Sequence, residues 1–280
     1  MAVIKWHQFP ITELLRDSLA EDIGTGDITT ALTVSPDHKS QASILAKSDL
    51  ILAGLPVVRE LFLLYSPTLL FRAEHTDGTL LSKGTVIASI SGSTRSLLTV
   101  ERVALNFLQR LSGIATLTRQ FVEAVKGTNA RIVDTRKTTP LLRQFEKYAV
   151  TVGGGFNHRF GLFDGILIKD NHLKAAGGVK KALVLAKKNT PHLMKIEVEV
   201  TNLEEFKEAI EHGANTVLLD NMTPEEIQKA VSMAKGKVIL EASGGITLEN
   251  VRTYAETGVD IISIGALTHS ATAVDISMEI

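Results

Sequence analysis

KIEVEVTNLEEFKEAIEHGANTVLLDN, Lys195 to Asn221, reads as strand, helix, strand. Isoleucine and valine alternate with polar residues at period two over Lys195–Val200, the mark of a strand. Apolar residues then recur at spacings of three and four from Leu203 to Ile210, and the segment closes on Gly213, where helix C-termini favour glycine. A second short apolar run, TVLLDN, follows at once. Two strands joined by a crossover helix form a parallel βαβ unit.

The same unit repeats on both sides. Short apolar strands are predicted at RIVDT (131–135), GILIKD (165–170), KIEVEV (195–200), TVLLDN (216–221), KVILEAS (237–243) and DIISIGA (260–266). Amphipathic helices fall between the later ones, at VKKALVLAKKN, LEEFKEAIEHG, TPEEIQKAVSMAKG and TLENVRTYAETG, with Gly213, Gly236 and Gly258 as stops. About six alternations leave a parallel barrel or a doubly wound sheet as the alternatives.

The strand ends favour the barrel. In order they carry Asp134 with Arg136 and Lys137, Lys169 with Asp170, Glu197 with Glu199, Asp220, Glu241 with Ser243, and Gly265. A parallel barrel brings all such ends to one mouth, whereas an open sheet gathers only some of them at its switch point. Parity agrees: Glu197 and Glu199 share a face, as do Leu218 and Asp220, and Glu241 and Ser243, leaving valine and leucine to pack outward.

Upstream, the first hundred residues are mixed. PITELLRDSLAED (10–22) has helical spacing with Pro10 near its start, and QASILAKSDLILAGL and GTVIASISGSTRSL look like short strands. From Leu98 to Gly127 apolar residues recur at three and four, giving one long helix or two consecutive ones.

Composition narrows the function. Of 280 residues, 44% are hydrophobic and 22% charged, with a formal net charge of -1, so no global field draws the chain to nucleic acid or an anionic membrane. Any anion must be held by a local cluster. With no cysteine, thiolate metal sites, thiol nucleophiles and disulfides are out of reach, which fits a reducing compartment. The start lacks an export pattern and no apolar run approaches the roughly 20 residues of a membrane helix, so a soluble cytoplasmic protein is expected.

The cations are concentrated in three loops. DTRKTTP (134–140) sets Arg136 and Lys137 side by side after a strand, NHRFG (157–161) adds His158 and Arg159 after three glycines, and LIKDNH adds Lys169 and His172. Arginine's planar fork suits carboxylate or phosphate. Lys169 could form a Schiff base, hold an anion, or pair with Glu197 or Glu199; the surrounding acids favour a charged anion binder. Glu197, Glu199, Asp220 and Glu241 are carboxylates suited to a hard divalent cation such as Mg²⁺, with some balancing the cations instead. EASGGI and SIGALTHS place glycines after the last two strands, where barrels commonly hold a phosphate. The inventory matches a polycarboxylate and a phosphorylated sugar carrying a pyrophosphate.

In order along the chain, AEDIGTGDITT, ILAGLPV, ERVALNFLQRLSGIAT, DTRKTTP, EKYAVTVGGGFNHRFGLFDGILIKDNH, EVEV, LLDNM, LEASGGI and ISIGALTHS resemble the quinolinate phosphoribosyltransferase family of NAD biosynthesis. The resemblance runs from about Ala20 to Ser270. It implies an open-faced α/β sandwich from residues 1–103, joined by about 271–280, and an irregular α/β barrel over 104–270 that carries the mouth. It also implies a homodimer in which Arg102 reaches the partner's site, and a reaction of quinolinate with 5-phosphoribosyl 1-pyrophosphate giving nicotinate mononucleotide, pyrophosphate and CO₂.

By position, the resemblance assigns Arg102, Arg136, His158, Arg159 and Lys169 to quinolinate, and Lys137, with Thr135 beside it, to the dicarboxylate or the pyrophosphate. Glu199 and Asp220 would organise Mg²⁺ and the ribose hydroxyls. Lys137, Lys169, Glu199 and Asp220 form the expected catalytic set. Ser243, Gly244 and Gly245 with Gly265, Ala266 and Leu267 would hold the 5-phosphate, with His269 at its edge. Glu197, deeper, would support the ion-pair network. Many relatives carry glycine where this chain has Leu141, which reads as a loop adjustment. A molybdenum-transport-type relative with another acceptor, a Schiff-base aldolase using Lys169 and a non-catalytic phosphate-binding module are the competing readings.

Overall fold

A computed structural model describes residues 11–280; Pro10, expected near the first helix start, lies outside them. The elements run α1 (Ile11–Ile23), α2 (Ile28–Thr33), β1 (Lys39–Ala46), β2 (Leu50–Ile51), α3 (Leu55–Tyr65), β3 (Leu70–Ala73), β4 (Leu80–Leu81), β5 (Val86–Ser93) and α4 (Thr94–Ala124). They continue with β6 (Arg131–Val133), α5 (Arg143–Gly153), β7 (Ile166–Ile168), α6 (Asp170–Ala176), α7 (Val179–Asn189), β8 (Ile196–Val200), α8 (Leu203–Glu211), β9 (Thr216–Asp220), α9 (Pro224–Ala234), β10 (Ile239–Ser243), α10 (Val251–Glu256), β11 (Ile261–Ser263), α11 (Ala266–His269) and β12 (Ile276–Glu279).

The described residues divide into two compact units, one of residues 11–117, 139–153 and 271–280, the other of residues 118–138 and 154–270. The division falls within α4. In the first unit an antiparallel sheet runs β12-β1-β5-β3, and the chain's last strand pairs with β1, Ile44 opposite Met278. Alternation in β1 turns Ala42, Ile44 and Ala46 into the core. Ser112 and Thr116 of α4 accept from the Ala53 and Ile51 N–H groups, so backbone that leaves the sheet ladder is still satisfied.

The second unit holds six parallel strands in the order β6-β11-β10-β9-β8-β7. Sequence neighbours from β7 to β11 lie side by side, and the first strand returns to the last. That cyclic order, with β6 and β7 at the two edges, is a barrel opened along one seam, whereas a doubly wound sheet would reverse direction in mid-sheet. All strands point the same way, so their C-terminal ends form one rim. The parity is as read: Val198, Val200, Val217 and Leu219 are buried, while Glu197 and Glu199 alternate with them. Capping fixes the crossover helices, with Asn202 accepting from Glu205 N–H and Thr223 and Glu226 forming a capping box. Among the described residues no helix is long and apolar enough to cross a membrane.

One local reading differs. TRSL (94–97), read as the tail of a strand, opens the helix instead: β5 stops at Ser93, and Thr94–Ala124 is a single helix of 31 residues. Leu141 has φ +66° and is 82% exposed, so its side chain gains little burial while its backbone is left-handed. For a branched L-residue that conformation costs about 1–2 kcal/mol. Leu141→Gly is expected to raise stability by about 1 kcal/mol, part of the gain being offset by the freer unfolded chain; equal urea midpoints for the two proteins would refute this.

Candidate active site

Inward-facing residues and strand-end loops of the second unit line a cavity of about 730 Å³. Thr135, Arg136, Lys137, His158, Arg159, Lys169, Glu199, Asp220, Ser243, Gly244, Gly245, Gly265 and Ala266, all singled out from sequence, line it. His269 does so as well. Leu267, also expected there, is fully buried and does not line the cavity. Arg102 lies on α4 in the first unit, 58% exposed, 4.0 Å from Glu101. A cavity of equal volume in the first unit is lined largely by apolar side chains such as Leu15, Leu55, Val57 and Phe71, and lacks this convergence of cations and acids.

Each cation is placed by its loop. The segment 157–161 is anchored by carboxylates at both ends: His158 N–H donates to Asp134 at 2.9 Å, and the Phe160 and Gly161 N–H groups donate to Asp164 at 2.7 and 2.8 Å. Arg159 is tied by Nη1 to the Gly165 carbonyl at 2.9 Å, while its Nε is buried with no hydrogen-bond partner. Burial, and then the neighbouring Arg136, hold the Arg159 guanidinium below its usual range. Two guanidiniums so close in a concave site are stabilised by an anion between them.

Lys137 and Lys169 sit differently. The Lys137 carbonyl accepts from the Thr268 hydroxyl at 2.7 Å, and a Cβ on Gly265 would lie 3.0 Å from Lys137 Cδ, so the lysine stem crosses that glycine closely. Lys169 Nζ pairs with Glu199 at 3.3 Å and is 48% exposed. A lysine nucleophile needs desolvation and few acids nearby; this one has solvent and a carboxylate. His172, counted among the cations in the sequence, accepts from Lys169 N–H at 2.9 Å and caps α6.

The acids split into two groups. Glu199 on β8 faces the same side as Leu218, its neighbour on β9, and Asp220 lies two residues further toward the rim on that face. Below them, Glu197 Oε2 is 3.0 Å from His158 Nε2, and Glu241 Oε1 is 3.8 Å from the same nitrogen. Burial, and then Glu197, push the Glu241 carboxyl up to about 8. Glu197 comes from β8 and Glu241 from β10, and alternate barrel strands supply one interior layer.

Asn221 lines the cavity and was not singled out. It holds φ +55°, donates from Nδ2 to Asp220 at 2.7 Å and from its backbone to the Ser243 carbonyl at 2.9 Å. Gly244 packs on it: at φ +94°, an added Cβ would lie 2.6 Å from Asn221 Cγ and 2.9 Å from its backbone nitrogen. The sequence signal was an asparagine directly after a strand-ending aspartate, a residue type that tolerates left-handed backbone.

Comparison with known proteins gives the same direction. Residues 27–112 match the quinolinate phosphoribosyl transferase N-terminal domain and residues 114–279 its C-terminal domain. A probable nicotinate-nucleotide pyrophosphorylase [carboxylating] of Bacillus subtilis is 45% identical over 270 residues, covering 96% of this chain and 93% of that one. Its counterpart in Synechocystis is 45% identical over 269 residues, covering 95% and 91%. The crystal structure of NadC from Streptococcus pyogenes superposes with a TM-score of 0.95 at 42% identity, covering 99% of this chain and 98% of that one. Both domain matches fall in order over a chain whose barrel mouth gathers the expected cations and acids, and the protein therefore belongs to the quinolinate phosphoribosyltransferase family.

Proposed function

We infer that the protein transfers a phosphoribosyl group from 5-phosphoribosyl 1-pyrophosphate to quinolinate and releases pyrophosphate and CO₂, forming nicotinate mononucleotide for NAD biosynthesis. The observation that carries this reading is the convergence in one cavity of Arg136, Arg159 and Lys169 with Glu199 and Asp220. A pyridine with two adjacent carboxylates supplies the anions those guanidiniums require. Arg136 and Arg159 clasp the carboxylates and Lys169 orients the ring, so that its nitrogen faces C1 of the ribose. Lys137 lies toward Gly265 and serves the donor's phosphates. The Ser243–Gly245 turn and the start of α11 cradle the 5-phosphate through backbone N–H groups.

Glu199 and Asp220 fit Mg²⁺, being hard oxygen donors on one face of adjacent strands with no thiolate nearby. Bound there, Mg²⁺ would neutralise charge developing on the departing pyrophosphate. The chain's own residues hold both substrates in line and stabilise the quinolinate carboxylates. The pyridinium formed by transfer draws electrons from C2, which labilises the carboxylate there.

Incubation with quinolinate, the phosphoribosyl donor and Mg²⁺ is expected to release CO₂ and pyrophosphate in equal amounts. Nicotinate, lacking the second carboxylate, should be a poor substitute; equal use of nicotinate without CO₂ release would overturn the assignment. Gly244→Ala is expected to raise KM for the donor by at least about tenfold, because the methyl would displace Asn221 from the cradle; an unchanged donor KM would refute that role.

The reading includes a cytoplasmic homodimer with Arg102 contributed to the partner's site, supported by that arginine's exposure and by its place in the ERVAL motif. Arg102→Ala and Arg136→Ala proteins, each inactive alone, should regain activity when their subunits are exchanged. No recovery after demonstrated exchange would exclude the shared site.

A further inference from the structure

Both ring nitrogens of His158 are committed inside the protein. Nδ1 lies 2.7 Å from the Arg159 backbone N–H, which can only donate, so Nδ1 presents its lone pair. The proton of the imidazole therefore sits on Nε2, aimed at Glu197 Oε2 3.0 Å away. Glu241, 2% exposed, approaches the same nitrogen from the next strand of the layer. One N–H cannot serve two carboxylates, and the raised Glu241 carboxyl keeps a proton on the pair.

We propose that His158 is a positioning residue rather than a contact to the dicarboxylate: held between the Glu197–Glu241 floor and the Arg159 backbone, it sets the segment that carries the Arg159 guanidinium and offers the ligand no ring nitrogen. This deepens the reading of the same site as a quinolinate clasp and rests on it. The three side chains also bring one donor atom each within 4.8 Å of one another, the spacing of a metal-ligand set. A metal on Nε2 would need the lone pair there and a proton on Nδ1, directly against the Arg159 N–H. The hydrogen bonds thus select the positioning role over a metal site.

Two measurements test it. Nitrogen-15 NMR of the wild-type protein is expected to show His158 as the Nε2–H form, with Nδ1 unprotonated, both alone and saturated with quinolinate. Protonation of Nδ1 on addition of quinolinate, or loss of the Nε2 proton on addition of Zn²⁺, would overturn the proposal. In the second, kcat/KM for quinolinate is compared among His158→Ala, Arg159→Ala and the double variant. If His158 acts through Arg159, the double variant falls within about threefold of Arg159→Ala alone, whereas multiplying losses would mark an independent contact. Failure of the wild-type protein to bind quinolinate would count against the function itself, while the ligand-free tautomer is read independently.

Discussion

Arg159→Ala is expected to lower kcat/KM for quinolinate by about 10²–10³, with the loss in quinolinate affinity and little change in KM for the phosphoribosyl donor. The guanidinium is fixed by Gly165 on one side and depressed by burial and Arg136 on the other, while its Nε lacks a partner. Such a group is poised for an incoming carboxylate. Truncating one member of a buried, hydrogen-bonded charge pair costs about 2–5 kcal/mol, largely by stranding the other member. Arg159→Lys retains the charge but loses the planar fork, so it should recover only part of the loss. Stability should change little, because removing the arginine also removes its repulsion of Arg136. Steady-state kinetics with each substrate varied decide the matter: an unchanged quinolinate KM, or a rise confined to the donor, would place Arg159 outside the dicarboxylate clasp.

That expectation is largely legible in the sequence, because barrel geometry converts a linear pattern into a spatial one. Arg136, Lys169, Glu199 and Asp220 are scattered over some eighty residues, yet each follows a parallel strand or lies at its C-terminal end, and parallel strand ends share a rim; Arg159 instead comes from the loop between α5 and β7. Knowing the fold was nearly enough to place the candidate site. The inward parity of Glu197 and Glu199 was equally readable, since period two leaves no freedom once the valines are buried.

What stayed hidden depended on contacts that no spacing encodes. Glu197 and Glu241 meet because alternate strands β8 and β10 contribute to one layer, and the sequence carries no mark of strand stagger. The partner of Glu197 is accordingly an imidazole. Asn221 escaped notice because its importance lies in a left-handed backbone that lets it touch both Asp220 and Gly244. The end of β5 at Ser93 was missed for a different reason: serine and threonine serve strand ends and helix starts alike, and tertiary packing decides between them.

Glu241→Gln is expected to make the protein more stable at pH 8 than its parent by about 2–4 kcal/mol, and to make almost no difference near pH 4. The sign follows from the raised carboxyl. Below the ordinary glutamate range, both folded and unfolded chains hold the proton, and the variant gains nothing. Between there and about 8, the unfolded chain ionises while the folded one keeps its proton, so the parent's stability declines as pH rises. Above about 8 the folded parent ionises the buried Glu241 carboxyl beside Glu197 and bears the full penalty. Glutamine removes this dependence while retaining an N–H that can point at Glu197, as the protonated acid does. A protein that keeps an acid at this cost has a use for it, which is why the expected gain in stability is paired with the positioning of His158 above it. Urea unfolding of both proteins at pH 5 and pH 8 provides the check; a stability difference that does not widen with pH would mean that Glu241 is already ionised in the fold, and the proton-sharing floor would have to be abandoned.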